Sequence, residues 1–269
     1  MITRVRAVRS HPYRAGVSID HLAVLERLHI AFADVVSRAE ALSRPVPSCP
    51  GWTVADLVVH LGTVQDSYTR VVVAGEHGVS PEPRPVTPTA GPDLLAWWRH
   101  RAAELVRVLR DTPPEAPCRC WWQPTGRGTV DEVTRRMVHE TLVHLWDAQH
   151  ALGSVRPCDP ELAADGVEEF LERFLARPDT PVDPRRAEST ARVLQLRATD
   201  LPRAWILALG DGPPRHLRDR RLRPLDAEVS GTAQQLDLLL WGRLEPERLT
   251  VTGDRALVDT FLSWRRNLE

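Results

Sequence analysis

The stretch SCPGWTVADLVVHLGTV, residues 48–64, holds both the start of a helix and the pattern of a buried helical face. Thr53 and Asp56 have the spacing of a capping box, in which each side chain accepts a hydrogen bond from the other residue's backbone N–H. Leu57 and His60 follow within a set of apolar residues at three- and four-residue steps, so they share one face of the helix. A histidine within such a stripe is expected in the core, where its imidazole needs a polar partner.

Around this stretch, residues 18–177 show the apolar spacing of five helices separated by proline-rich breaks. The predicted helices run from Ser18 or Asp20 to Leu42, from Thr53 to Ala74, from Asp93 to Arg110, from Thr129 to Ala151 and from Pro160 to Leu175. Amphipathic helices with such connections favour an antiparallel four-helix bundle. The connection from Gly75 to Pro92 is longer than a bundle needs, and loops of this kind are often lids or binding loops.

The composition changes at residues 178–190, which are rich in Pro, Asp and Arg and indicate a linker. Beyond the linker the sequence predicts short strands interspersed with helices. The strands are expected at 192–198, 204–209, 227–230 and 249–252, and the helices at 232–241 and 255–267. We therefore predict a disordered leader at 1–17, a helical domain at 18–177 and a smaller α+β domain at 191–269.

Composition restricts the classes of function. The 269-residue chain has 35 basic residues and a formal net charge of −1 with both signs interspersed, so it lacks the one-sided positive field of nucleic-acid-binding proteins. No apolar run has the length of a signal peptide or of a membrane span, so we expect a cytoplasmic protein, monomeric or homodimeric. The 4 cysteines include no Cys-x-x-Cys pair, although Cys118 and Cys120 are candidate metal ligands.

A second polar face lies on the helix predicted from Thr129 to Ala151. Glu140 and His144 are one turn apart and point the same way. Together with His60 from a facing helix they supply three N/O ligands and leave a fourth position open, which is the arrangement of a catalytic metal site. Zinc is the expected ion, and several other divalent ions accept these ligands. His139 is the alternative ligand, but it lies about 140° around the helix from His144. The two could not easily meet at one ion, so Glu140 is preferred.

These residues also have structural interpretations. A histidine on an apolar stripe is more often a core residue with a satisfied hydrogen bond than a ligand, and Glu/His pairs one turn apart are common on solvated helices. Asp147, one turn beyond His144, either orients an imidazole, or serves as a base, or is exposed. Cys49 is either a nucleophile or a packing residue at a helix start.

Residues 48–62, SCPGWTVADLVVHLG, and residues 140–148, ETLVHLWDA, resemble two signature segments of the mycothiol-dependent maleylpyruvate isomerase family. Residues 194–200, 226–231 and 241–243 resemble the C-terminal domain of that family. The resemblance implies a DinB-like four-helix bundle that holds a divalent metal, followed by a smaller α+β domain similar to sterol-carrier proteins.

The same resemblance implies His60, Glu140 and His144 as the metal ligands and mycothiol as the thiol cofactor or cosubstrate. We expect a metal-dependent enzyme that activates this thiol, either for S-transfer to a small electrophile or for thiol-assisted cis/trans isomerisation. Arg84 and Arg243 are candidate partners for a carboxylate of the cofactor. The alternatives are a metal-dependent hydrolase and a non-catalytic small-molecule-binding or regulatory protein.

Overall fold

The computed structural model describes residues 19–38, 40–77, 91–123, 125–175, 192–210, 214–217 and 224–265. The predicted leader (1–17), the predicted linker (178–190) and Arg84 lie outside these ranges. The predicted domain bounds therefore stay a prediction. Within the described ranges no helix has the length and apolar content that crossing a membrane requires.

Four helices form the N-terminal bundle: α1 (His21–Val36), α2 (Val54–Ala74), α3 (Gly91–Asp111) and α4 (Val130–Ala151). Helix α2 packs along α3 and α1 packs along α4, while α2 also contacts α4 and α1 contacts α3. The four helices therefore enclose one apolar core. The capping box predicted at Thr53 is complete, and Thr129 forms a second one with Glu132, so each of these residues fixes the start of a helix that carries site residues.

Helix α1 is shorter than predicted, because it ends at Val36 and not at Leu42. The chain leaves the helix at Ser37, and Glu40 then adopts a left-handed conformation with a φ of 61°. A separate 3-10 turn covers Ala41–Ser43. Apolar periodicity continues through this break, which is why the sequence pattern does not reveal it.

A hairpin of two short strands precedes α4 and is absent from the sequence prediction. Strand β1 (Pro117–Arg119) pairs antiparallel with β2 (Arg127–Thr129). Strands of three residues are too short for an alternating pattern to identify them. The hairpin ends at Thr129, the residue that caps α4.

The C-terminal unit is a five-stranded sheet with two helices, which confirms the predicted α plus α+β class. The sheet has the order β5-β4-β3-β6-β7; β3 runs parallel to β6, and the other neighbours are antiparallel. Its elements are β3 (Arg192–Ala198), β4 (Ala204–Leu209), β5 (Arg215–Leu217), β6 (Ala227–Gly231), α6 (Ala233–Leu240), β7 (Thr250–Gly253) and α7 (Arg255–Arg265). Strand β5 is a further three-residue strand that the sequence did not predict.

Helix α5 (Pro160–Arg173) connects the bundle to this unit. It packs on α6, and its carboxylates pair with arginines of α4. Arg135 lies 2.9 Å from Asp165, and Arg136 lies 2.5 Å from Glu169. The buried polar residues of α4 are therefore fixed in position relative to the C-terminal unit.

Asp237 of α6 is a buried carboxyl at the contact with α5. It is 2% exposed, and a Cβ added at Gly166 would lie 3.0 Å from its carboxyl group. Its Oδ1 has no hydrogen-bond partner among the described residues. Burial and the nearby Glu169 carboxylate raise the pKa of Asp237 to about 8, against the opposing charge of Arg136. The folded protein therefore keeps this carboxyl mostly neutral at pH 7.

The substitution Asp237→Asn should make the protein more stable at alkaline pH. The wild-type carboxyl has a pKa of about 8 when folded against an ordinary value of 3.8. Its contribution to stability is therefore complete below pH 3.8 and is lost as the pH rises to about 8. Asparagine mimics the neutral acid at every pH. We expect a Tm gain of roughly 4 °C or more at pH 9 that vanishes near pH 4, measured by thermal unfolding.

Asp259→Asn, at an exposed position of α7, is the matched control and should show no comparable pH-dependent difference from wild type. A Tm difference between Asp237→Asn and wild type that stays constant from pH 4 to pH 9 would show that the folded and unfolded proteins ionise this carboxyl alike.

Candidate metal centre

The side chains of His60, Glu140 and His144 meet between α2 and α4. Nε2 of His60 lies 3.0 Å from Oε1 of Glu140, and Nε2 of His144 lies 3.4 Å from the same oxygen. The three ligand atoms lie within 4.8 Å of one another. The structure thus brings together the trio that helical periodicity placed on two inward faces.

The chemistry and spacing of this trio fit a divalent ion. Metal–ligand bonds of about 2.0–2.2 Å in a tetrahedral site separate neighbouring donor atoms by roughly 3.3 Å. The observed separations of 3.0 and 3.4 Å lie on either side of that value. The side chain of His60 is 34% exposed, so solvent and small ligands reach the cluster, as an open coordination position requires.

Glu140 is surrounded by groups that stabilise its negative charge. Its Oε2 accepts a hydrogen bond of 2.9 Å from Arg136, one turn earlier on α4. Burial raises the pKa of Glu140, but its hydrogen bonds with His144 and His60 and the charge of Arg136 outweigh burial, and the pKa lies well below the ordinary value. The side chain is therefore a carboxylate, the form that binds a cation.

Asp147 holds His144 on the side opposite to Glu140. Its Oδ2 lies 2.9 Å from Nδ1 of His144, which leaves Nε2 facing Glu140. Burial lowers the pKa of His144, but hydrogen bonds with Asp147 and Glu140 raise it to about 9. A carboxylate on the second ring nitrogen orients metal-binding histidines in many proteins. Since Asp147 is fully buried, its position favours the orienting role over that of a base.

Asp147 also receives hydrogen bonds from two other parts of the chain. The Ser48 hydroxyl donates to Oδ1 over 2.6 Å. The guanidinium of Arg243, from the turn after α6, donates to both carboxylate oxygens over 3.3 and 3.4 Å. The C-terminal unit therefore contributes directly to the site. The predicted pairing of Arg243 with a cofactor carboxylate stays a prediction, because here its partner is Asp147.

Cys49 lies beside this network, with its Sγ 3.7 Å from Oδ2 of Asp147. Burial and the Asp147 carboxylate raise the pKa of the Cys49 thiol to about 11, against the charge of Arg243. A protonated thiol is a poor nucleophile at neutral pH, so the packing alternative is favoured. Trp52 packs against His60 with ring centroids 5.2 Å apart and forms one wall of the site.

His139, the alternative ligand, lies away from this trio. Its Nε2 is 2.7 Å from Oδ2 of Asp165 on α5, and the residue is fully buried. The angular offset along α4 thus separates it from His144. Cys118 and Cys120 are buried on and beside β1, and within the described ranges neither belongs to a group of three or more metal-binding side chains.

Arg136 is a further residue of the site that was not predicted from the sequence, although it has i, i+4 spacing to Glu140. Arg136 is nearly fully buried, and its guanidinium lies 4.9 Å from the ring centroid of Trp241 and 5.3 Å from that of Phe174. These contacts come from the C-cap residue of α5 and from the C-terminal unit. They depend on how distant segments dock, so no local pattern reveals them.

Fold and site together define a class of protein, namely a four-helix bundle with a His/Glu/His cluster that could hold a metal ion, completed by an α+β unit. The family model for the Mycothiol maleylpyruvate isomerase N-terminal domain matches residues 25–149, and the model for the MDMPI C-terminal domain matches residues 161–260. The chain belongs to the mycothiol-dependent maleylpyruvate isomerase family, as its signature segments indicated.

Solved structures agree with this assignment at the level of fold. The crystal structures of the mycothiol-dependent maleylpyruvate isomerase and of a histidine-to-alanine mutant each match with a TM-score of 0.60 and 15% sequence identity. Each alignment covers 87% of this chain and 92% of the matched chain. No curated protein matches the sequence.

The substitution Asp147→Asn should weaken metal binding while the three ligands remain in place. Asparagine removes the negative charge beside His144 and loosens control of its tautomer, and such changes typically cost about 10- to 100-fold in metal affinity. The measurement is the dissociation constant by competition with a chromophoric chelator, on protein whose fold is verified by circular dichroism. Asp131→Asn, exposed in the first turn of the same helix, is the control. An affinity equal to that of wild type would exclude an orienting role for Asp147.

Proposed function

We propose that this protein is a metal-dependent enzyme that activates mycothiol for reaction with a small electrophile, with cis/trans isomerisation of maleylpyruvate as the first reaction to test. The observation that carries the proposal is the convergence of His60, Glu140 and His144 on one solvent-accessible point. Family membership supplies the thiol and the substrate class.

His60, Glu140 and His144 would hold a divalent ion, with zinc as the expected one. Such an ion with an open position lowers the pKa of a thiol that binds to it, as it does for water. The protein's own residues set the geometry. Asp147 fixes the ring of His144, and Arg136 fixes Glu140 through Oε2. Both braces are buried, so the ligands need little reorganisation.

The nucleophile in this proposal comes from outside the chain. The raised pKa of Cys49 keeps that thiol protonated at neutral pH, so the nearest cysteine does not compete. A thiolate sulfur adds to the electrophilic carbon of the substrate, and the electron pair of the carbon–carbon double bond moves onto the conjugated carbonyl as an enolate. The former double bond is then a single bond that rotates. Cleavage of the C–S bond then re-forms the double bond in the other geometry. Protonation of the enolate carbon by solvent after the addition would instead leave a stable thioether, the product of S-transfer.

Two aromatic side chains extend the accessible surface near the site. Tyr68, two turns after His60 on α2, accepts a hydrogen bond of 3.0 Å from Nε1 of Trp121, and Trp121 is 72% exposed. Burial raises the pKa of Tyr68 to about 12, so its hydroxyl stays protonated. We assign to this pair the binding of apolar parts of the cofactor or substrate, since exposed aromatic groups suit such contacts.

The test combines metal content with thiol-dependent turnover. Protein is purified without chelator or histidine tag as wild type, His60→Ala and His144→Ala. Each variant should contain about one metal equivalent less than wild type and lose more than about 100-fold in the rate of maleylpyruvate isomerisation with mycothiol. His100→Ala, at an exposed position of α3, should match wild type in both measurements.

Two outcomes contradict the proposal. Equal metal content in wild type and in folded His60→Ala would show that His60, Glu140 and His144 do not hold the ion. Turnover of amide or thioester substrates at equal rates with and without added thiol would replace thiol activation with hydrolysis.

A further inference from the structure

A second cluster of imidazole and carboxylate groups lies where α1, α4 and α5 meet. Nε2 of His21 is 3.0 Å from Oδ2 of Asp165, and Nε2 of His139 is 2.7 Å from the same oxygen. The three ligand atoms lie within 4.8 Å of one another. None of these residues belongs to the metal centre described above.

The two clusters present the same donor set. In each, two Nε2 atoms face one carboxylate oxygen, and the three side chains come from more than one helix. A tetrahedral ion separates neighbouring donor atoms by roughly 3.3 Å. The nitrogen–oxygen distances of the second cluster, 3.0 and 2.7 Å, would therefore increase by a few tenths of an ångström on binding. His21 is in the first turn of α1, where a small adjustment disturbs little packing.

The second cluster has a guanidinium brace like the first. Nη2 of Arg135 lies 2.9 Å from Oδ1 of Asp165, much as Arg136 holds Oε2 of Glu140. The Nε of Arg135 also lies 3.0 Å from Oδ2, which would be shared with a bound ion. Arg135 is itself paired with Glu172 over 3.2 Å, so its positive charge is compensated by a second carboxylate.

The cluster is accessible from one side. The side chains of His21 and Asp165 are 15% and 16% exposed, whereas that of His139 is fully buried. An ion and a water molecule can therefore approach past His21, while His139 and α4 form the floor. This combination of a buried floor and a narrow opening suits a structural site more than a catalytic one.

We propose that His21, His139 and Asp165 form a second divalent-metal site, selective for zinc-like ions that accept nitrogen and oxygen ligands. The bound ion replaces the hydrogen bonds between the imidazoles and the carboxylate and fastens α1 and α5 to α4. Since α5 packs on α6, the ion also strengthens the contact between bundle and C-terminal unit. The site requires no residue of the first centre, so it stands independently of the proposed function.

The experiment is a titration of metal-free, untagged full-length protein with Zn²⁺ near pH 7.5, read by isothermal calorimetry and by elemental analysis after gel filtration. Wild type should bind about two equivalents of Zn²⁺, and His21→Ala and His60→Ala should each bind about one. The double variant, which combines these two substitutions, should bind none. His100→Ala is the matched control and should bind as wild type does. Zn²⁺ should raise the Tm of His60→Ala but not that of the double variant.

The outcomes separate this inference from the proposed function. If wild type binds only one equivalent of Zn²⁺, and His60→Ala loses it while His21→Ala keeps it, the second site alone is overturned. If wild type binds one equivalent of Zn²⁺, and His21→Ala loses it while His60→Ala keeps it, the second site is supported and the first is excluded. Zinc retained by the folded double variant overturns both assignments. His21→Gln, which keeps a polar side chain of similar reach, replaces His21→Ala if the alanine variant does not fold.

Discussion

The negative charge of Glu140, whose side chain is 20% exposed, is the constraint on which the rest of the site depends. A carboxylate that is largely shielded from water needs charged or hydrogen-bonding partners, because an unpaired charge becomes more costly as it is buried. Here His60 comes from α2, His144 and Arg136 come from neighbouring turns of α4, and Arg136 continues to Glu169 on α5. Compensation of one charge therefore joins three helices, and it leaves a point at which a divalent cation would replace the imidazole hydrogen bonds.

Helix α4 carries this constraint in two directions. Glu140 faces α2, whereas the adjacent His139 faces α1 and α5, and each lies in a cluster of two imidazoles and one carboxylate. A surface helix would leave such residues in water. Between α1, α2 and α5 they must be paired, since buried polar groups without partners destabilise the fold. Because the polar side chains of α4 are shielded from water and paired, their positions are well defined.

The link between the two units of the chain also runs through buried charge. Arg243 reaches from the turn after α6 to Asp147, which holds the ring of His144. Orientation of a candidate ligand is thereby coupled to the docking of the C-terminal unit. Burial and the Asp147 carboxylate raise the pKa of the Cys49 thiol beside this network, which is compatible with the external thiol that we propose as the nucleophile.

Features that depend on neighbouring residues could be predicted from the sequence alone: the helix starts at Thr53 and Thr129, and the shared face of Glu140 and His144. Hydrogen bonds within one turn and the period of 3.6 residues decide these features locally. The contact of Arg243 with Asp147, and that of His21 with Asp165, 144 residues away in the chain, became apparent only in the folded protein. Such contacts follow from the docking of whole elements, and many residue pairs of the same types would satisfy a pattern without ever meeting. The short hairpin before α4 escaped prediction for a related reason, since three-residue strands are stabilised by their partners and not by their own sequence.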